Sequence, residues 1–201
     1  MTPAGGRVER FYRWHAPIYD VTRRLFLADR ARAVRALEIR PGDRVVDLAC
    51  GTGLNLPWLR RASAGERIGV DLTLPMLERA RRRDPEAHLV HSDLRHWEWE
   101  GEPADCMICT YGLSMIPDWP AALAHSLGFL RPGGTLVILD FHHLQGVLRA
   151  ANPAMRAWFS CFGVRPGLPF EEELTGRFRT CRSEVRHGGW NRIVVAQGAH
   201  P

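Results

Sequence analysis

Apolar positions along the chain cluster into short runs, and amphipathic stretches lie between them. The runs at 43–48 (DRVVDL), 67–71 (RIGVD), 88–91 (HLVH), 105–110 (DCMICT) and 135–141 (TLVILDF) have the length and apolar character of buried strands. The stretches 54–62, 74–83 and 118–130 predict helices between them. Strand alternating with helix argues an α/β fold, a doubly wound and mostly parallel sheet with helices on both faces. RPGG, Arg131–Gly134, reads as a turn before the fifth strand. Segments 177–186 and 190–197 flank Gly188 and Gly189 and read as an antiparallel C-terminal hairpin. It brings the sheet to seven strands and closes one edge. The segment 1–38 reads as a helical N-terminal cover. No repeat, low-complexity tract or linker interrupts the chain, which predicts a single domain over 1–201.

At 201 residues the chain is long enough for one sizeable core. No apolar run approaches the roughly 20 residues of a membrane span, and MTPAGGRVERFYRWH lacks the apolar stretch of a secretory leader. Five cysteines is an odd number for a disulfide framework. Cys106 and Cys109 form a C-x-x-C inside a strand run, where residues three apart face opposite ways. Core burial is therefore expected, with no metal site, and a reducing cytoplasm fits. The net charge of +5 comes from arginine alone, since the chain has no lysine. Nine of the arginines, against four Asp and Glu, fall between positions 1 and 40. That local excess suits an anionic partner, a membrane surface or RNA, or simply a solvated basic helix. On a helix over Ile18–Leu37, Arg23, Arg24, Arg30, Arg32 and Arg35 scatter over more than half the circle, which weakens a one-faced interfacial anchor.

The candidate chemistry begins at VVDLACGTGLN, Val45–Asn55. A glycine turn after a parallel strand lets the backbone pass close to a bound cofactor before a helix starts. The dinucleotide pattern G-x-G-x-x-G is not met, because Leu56 stands at its third glycine. Asp47, at the strand end, would repel a pyrophosphate but favours a ligand carrying an ammonium. Asp71 ends the second strand, the next one after the Gly53 turn, where a carboxylate can accept from both hydroxyls of a ribose. Asp93, in HSDLRHW, ends the third strand and can accept from an exocyclic amine. Each acid alone could be a helix cap. Three at successive strand ends point to a ligand with a cationic amino-acid part, a ribose and an adenine, which describes S-adenosylmethionine.

With DLACGTG and LRPGGTLVILDF, the chain resembles the class I S-adenosylmethionine-dependent methyltransferases, a Rossmann-like family, from about Phe11 to Val195. Ala49 stands where the family's first motif usually has glycine. The resemblance implies that Asp47, Ala49, Gly51, Thr52 and Gly53 form the methionine-side loop and that Asp71 binds the ribose. Leu72 and Met76 would flank the adenine, Asp93 and Leu94 would meet its edge, and Thr110 would lie at the fourth strand's end. FYRWHAPIYD resembles a segment of the ubiquinone and menaquinone subgroup, in which tyrosines close over the cofactor's carboxylate; Tyr12 and Tyr19 take those places. YGLSMIPDW (111–119) and AMRAWFSCFGVRP resemble the betaine-lipid N-methyltransferases, with the bacterial phosphatidylethanolamine N-methyltransferases nearby. His142–His143 departs from that subgroup, which more often has glycine there.

Methyl transfer is a direct displacement on a sulfonium, so positioning carries much of the rate. An amine acceptor must first lose its proton, and aromatic faces can hold a methylated cation. Tyr111 and His142, just past the fourth and fifth strands, are the catalytic candidates, with Tyr12, Trp14 and His15 approaching from the cover. His143 is expected to face away. Met155, Trp158, Phe159 and Phe162, at helical spacing, read as core or as the wall of an acyl-chain groove. The expected function is N-methylation of a lipid amine headgroup by a cytoplasmic protein that touches anionic lipid peripherally. N-methylation of a soluble amine is the alternative, and a non-catalytic cofactor-binding accessory protein is the alternative from another class. No base-specific motif supports a nucleic-acid partner.

Overall fold

The structure, a computed structural model, describes residues 29–201. In chain order its elements are α1 (Arg30–Ala36), β1 (Arg44–Leu48), α2 (Leu56–Arg61), β2 (Glu66–Asp71), α3 (Leu74–Arg83), β3 (His88–His91) and β4 (Ala104–Thr110). Then follow α4 (Trp119–Leu127), β5 (Leu130–Phe141), α5 (Asn152–Ser160), α6 (Phe170–Leu174), β6 (Phe178–Arg186) and β7 (Asn191–Ala199). Short 3-10 turns cover Leu113–Met115, Gly146–Ala151 and His187–Gly189. Four helices carry a proline in their first turn, namely Pro57, Pro75, Pro120 and Pro153. Proline has no N–H to donate and its φ is already helical, so it starts a helix at little cost.

Seven strands form one sheet in the order β3-β2-β1-β4-β5-β7-β6. The first five run parallel, and β7 pairs antiparallel with both β5 and β6. The doubly wound sheet and its C-terminal hairpin match the strand–helix rhythm of the sequence. RPGG departs from its reading as a turn. Leu130 already pairs with Ala104, and the ladder resumes at Thr135 opposite Cys106. The four residues are thus an excursion within β5, and Gly133 supplies a left-handed φ of 78°.

Alternation along the strands divides the core in two. Val45, Cys106, Ile108, Val137, Leu139, Ile193 and Val195 face α1, α2 and α5. Val46, Leu48, Met107, Cys109, Leu136, Ile138 and Val194 face α4 and α6. Cys106 and Cys109 are buried on opposite faces, as their spacing implies, and all five cysteines are free. A strand buried on both sides has a near-continuous apolar sequence, so β1 reads RVVDL with one polar exception in its interior, Asp47. No described helix is long and apolar enough to cross a membrane.

Candidate active site

β1 and β4 are neighbours from which the sheet extends in opposite directions. In such sheets ligands bind beyond the carboxyl ends of the strands at this switch point. Asp47 lies there, fully buried. Its Oδ1 accepts from Asn55 Nδ2 at 2.9 Å. Its Oδ2 is buried and has no hydrogen-bond partner. Burial pushes the Asp47 carboxyl up to about 7, against the opposing influence of Asn55 and the Arg30 guanidinium. An orphaned buried carboxylate oxygen costs free energy, and a ligand ammonium would relieve it.

The loop after β1 turns tightly. Ala49 has φ 52° and Gly51 φ 56°. A side chain at Gly51 would meet nothing within 4 Å, so the loop leaves open space there. At Gly53 a Cβ would lie 2.9 Å from the Ala80 backbone. This glycine lets α3 pack close against the loop. Thr52 is buried, and its carbonyl accepts from Arg83. Asp71 braces the same loop: one oxygen accepts from Gly51 N–H at 2.8 Å and the other from Thr73 N–H at 2.9 Å. Burial raises its carboxyl. Leu72 beside it is half exposed, as a side chain flanking a flat ring would be.

The fold places the remaining predicted contacts as follows. Met76 is buried within the first turn of α3, and the Leu94 side chain belongs to the core beside Trp97. Any contact of Leu94 with an adenine edge falls to its backbone. Asp93 is folded onto Arg95, 2.6 Å from its guanidinium, and this bond holds its carboxyl below the usual range. Tyr12 and Tyr19 lie outside the described residues, as do Trp14, His15, Arg23 and Arg24.

Thr110 ends β4, and its hydroxyl accepts from Asn55 Nδ2 at 3.0 Å and from Arg30. Arg30 also donates to Asn55 Oδ1 at 3.0 Å and lies over the Tyr111 ring, 5.5 Å from its centre. Arg30 is therefore part of the hydrogen-bonded cluster at these strand ends. Tyr111 adopts φ 57°, in the left-handed region. Its ring is buried against Phe141 at 4.7 Å, and its hydroxyl accepts from Asn191 Nδ2 at 2.8 Å. Burial raises the phenol well above its ordinary value, so it stays protonated and is a poor proton acceptor. Asn191 also donates to Asp29 Oδ2 at 3.2 Å, which His187 Nε2 approaches at 2.6 Å.

His142 does not join Tyr111. Its neighbouring charges are Arg192, His143 and Glu171. Asn191 and Arg192 are successive on β7 and face opposite ways, so His142 lies across the sheet from the Tyr111 hydroxyl. Burial, with Arg192 and His143, lowers its imidazole and keeps it neutral. His143 packs against Gly167. Phe141 continues the aromatic wall to Phe159 at 4.6 Å and Trp190 at 5.8 Å. Met155 and Phe159 of the predicted stripe are buried, while Trp158 is 45% exposed.

Sequence reasoning missed Arg30, Asn55 and Asn191. Asn55 carried a signal, a polar residue two places after Gly53. Arg30 and Asn191 carried none, since each reaches Thr110 or Tyr111 across 80 residues of chain.

The fold and these strand ends define a nucleoside-cofactor enzyme of the S-adenosylmethionine type. The orphaned Asp47 oxygen, the open side of Gly51 and the acid at Asp71 fit that cofactor. A family of methyltransferase domains matches residues 45–134. A demethylmenaquinone methyltransferase of Corynebacterium urealyticum is 32% identical over 207 residues, covering 87% of this chain and 81% of the relative. One from Renibacterium salmoninarum is 33% identical over 135 residues, covering 64% of this chain and 56% of the relative. The chain spans about half the length of several such curated relatives. Among solved structures, a chain from a Haloferax volcanii complex of a methyltransferase activator with a methyltransferase superposes with a TM-score of 0.77. It is 16% identical, and the match covers 96% of this chain and 99% of that one. The chain belongs to the class I S-adenosylmethionine-dependent methyltransferases.

Proposed function

We propose that the chain transfers a methyl group from S-adenosylmethionine to a lipid-soluble acceptor. The observation that carries this reading is the aromatic wall of Tyr111, Phe141, Phe159 and Trp190, which begins one residue after Thr110. Such a wall suits a large apolar acceptor. When bound, the cofactor supplies an electrophilic methyl on a sulfonium. The protein's residues bind and orient. Asp47 Oδ2 takes the ammonium, Arg30 takes the carboxylate, and Asp71 takes the ribose while bracing Gly51. Tyr111 acts by position, because its hydroxyl is engaged by Asn191 and stays protonated.

For the acceptor itself, an aromatic ring of the quinol kind is favoured by the relatives named demethylmenaquinone methyltransferases. The amine headgroup of a lipid, expected from the sequence, is the second reading, since the same aromatic faces would hold a methylated ammonium. The test offers methyl-labelled cofactor with one acceptor at a time in detergent micelles: a reduced demethylated menaquinone, phosphatidylethanolamine, or a soluble amine. Label in the quinol product supports the first reading and label in the phospholipid the second. Label only in the soluble amine would refute a lipid-soluble acceptor.

A further inference from the structure

Residues 145–151 are seven exposed positions in a row. They include the 3-10 turn that leads into α5, and none of its residues is buried. Two are large and apolar: Val147 is 97% exposed and Leu148 49%. Trp158, on the exposed side of α5, adds a third at 45%. These residues gather around the tip of the β6–β7 hairpin. A Cβ on Gly188 would stand 3.0 Å from Leu148 Cδ1, and Trp158 lies 6.5 Å from Trp190. Through Trp190 and Phe141 the patch continues into the aromatic wall of the site.

Along the chain, the charge of this segment has one sign. From Phe141 to Phe170 the chain holds three arginines and no Asp or Glu. Arg165 is tied to the carbonyls of Ile116 and Pro117. Arg149 and Arg156 are exposed and make no ion pair with a described residue. Of the acids flanking this segment, Asp140 is buried, Glu171 and Glu173 are committed to Arg192 and Arg177, and Glu172 is exposed. A protruding apolar turn, a surface tryptophan and unopposed arginines are the components by which a protein sits in the interface of an anionic bilayer.

We propose that the turn Gly146–Ala151 and the exposed side of α5 dock the protein on an anionic membrane surface. Val147, Leu148 and Trp158 enter the interface, and Arg149 and Arg156 pair with lipid phosphates. The docking surface differs from the arginine-rich N-terminal segment. It places the aromatic wall at the lipid boundary and does not depend on which acceptor is methylated.

The test uses the full chain without any methyl acceptor, so it is independent of the catalytic reading. Flotation with vesicles of phosphatidylcholine alone and of phosphatidylcholine with phosphatidylglycerol measures binding. The wild type is expected to float with the anionic vesicles, less with the zwitterionic ones, and to be released by salt. Val147→Asp with Leu148→Asp, and separately Arg149→Gln with Arg156→Gln, should each weaken binding roughly tenfold or more. Affinity for S-adenosylmethionine should stay unchanged and report an intact fold. Vesicle-induced blue-shifted tryptophan emission should be lost in Trp158→Phe. Wild type that binds no vesicle, or binds both kinds equally, would overturn the proposal. So would double variants that both bind as well as wild type, or a wild type that self-associates without lipid and is made monomeric by the aspartates.

Discussion

Asp47 concentrates the conflict between stability and binding in one side chain. The ordinary carboxyl value is 3.8, and burial moves it to about 7. The folded protein therefore holds a proton that the unfolded chain releases. Stability is lost as pH rises from about 4 to about 7, and above that the full cost of ionisation applies. Asp47→Asn, which keeps an oxygen for Asn55, should stabilise the cofactor-free protein at pH 8 by roughly 1 kcal/mol or more and change little at pH 5. It should also weaken S-adenosylmethionine binding by roughly tenfold. Urea unfolding at the two pH values and calorimetric titration check both parts; equal stability changes at pH 5 and pH 8 would contradict the assignment. Arg30 makes a second residue-scale prediction. If it pairs with the cofactor's carboxylate, Arg30→Gln should weaken S-adenosylmethionine roughly tenfold yet leave affinity for the decarboxylated cofactor unchanged. Competition binding with the two compounds reads this, and equal losses would assign Arg30 to holding Asn55 and Thr110 only.

Elements are held against the sheet by a few close approaches. The Gly53–Ala80 contact sets how near α3 comes to the loop after β1. Gly53→Ala meets backbone at 2.9 Å in a left-handed conformation of φ 75°. The expected cost is about 1–3 kcal/mol, measured as a lower urea midpoint with the slope unchanged. The far end of α3 is fixed by Asp84, buried and 2.6 Å from Arg67 of β2. Burial alone would raise the Asp84 carboxyl, but the Arg67 hydrogen bond and charge outweigh it and lower it. Its stabilisation is therefore present at neutral pH and lost as the pH falls through its depressed folded value. Asp84→Ala leaves Arg67 without its buried partner and should cost about 3 kcal/mol at pH 7. Wild type and variant should converge in acid, and a cost independent of pH would contradict the pairing. The strands and the glycine loop were legible in the sequence because apolar run length and turn chemistry are local. The excursion at Arg131–Gly134 was not, because RPGG has the composition of a turn and only its neighbour β4 shows that Leu130 is already paired.

Across the whole molecule, Asp47 and Asp71 could be placed from sequence because they stand at the ends of the strands before and after the glycine turn. The other half of the site could not. Arg30 of α1, Asn55 before α2, Thr110 of β4 and Asn191 of β7 meet only after the sheet has assembled. Tyr111 and His142 looked equivalent past adjacent strands, yet strand alternation sends their side chains to different faces. In the proposed reading, the sheet supplies a methyl-donor end at β1 and β2 and an aromatic end at β4, β5 and β7. The central claim is that these two ends work together as a methyltransferase on a lipid-soluble acceptor. The most direct measurement incubates the full chain with methyl-labelled S-adenosylmethionine and a bacterial lipid extract, then separates the organic and aqueous phases. The account predicts label in the organic phase with wild type and at least roughly tenfold less with Asp47→Ala at subsaturating cofactor. Cofactor that binds tightly in calorimetry while all label remains on it would contradict the account and leave a binding protein without catalysis.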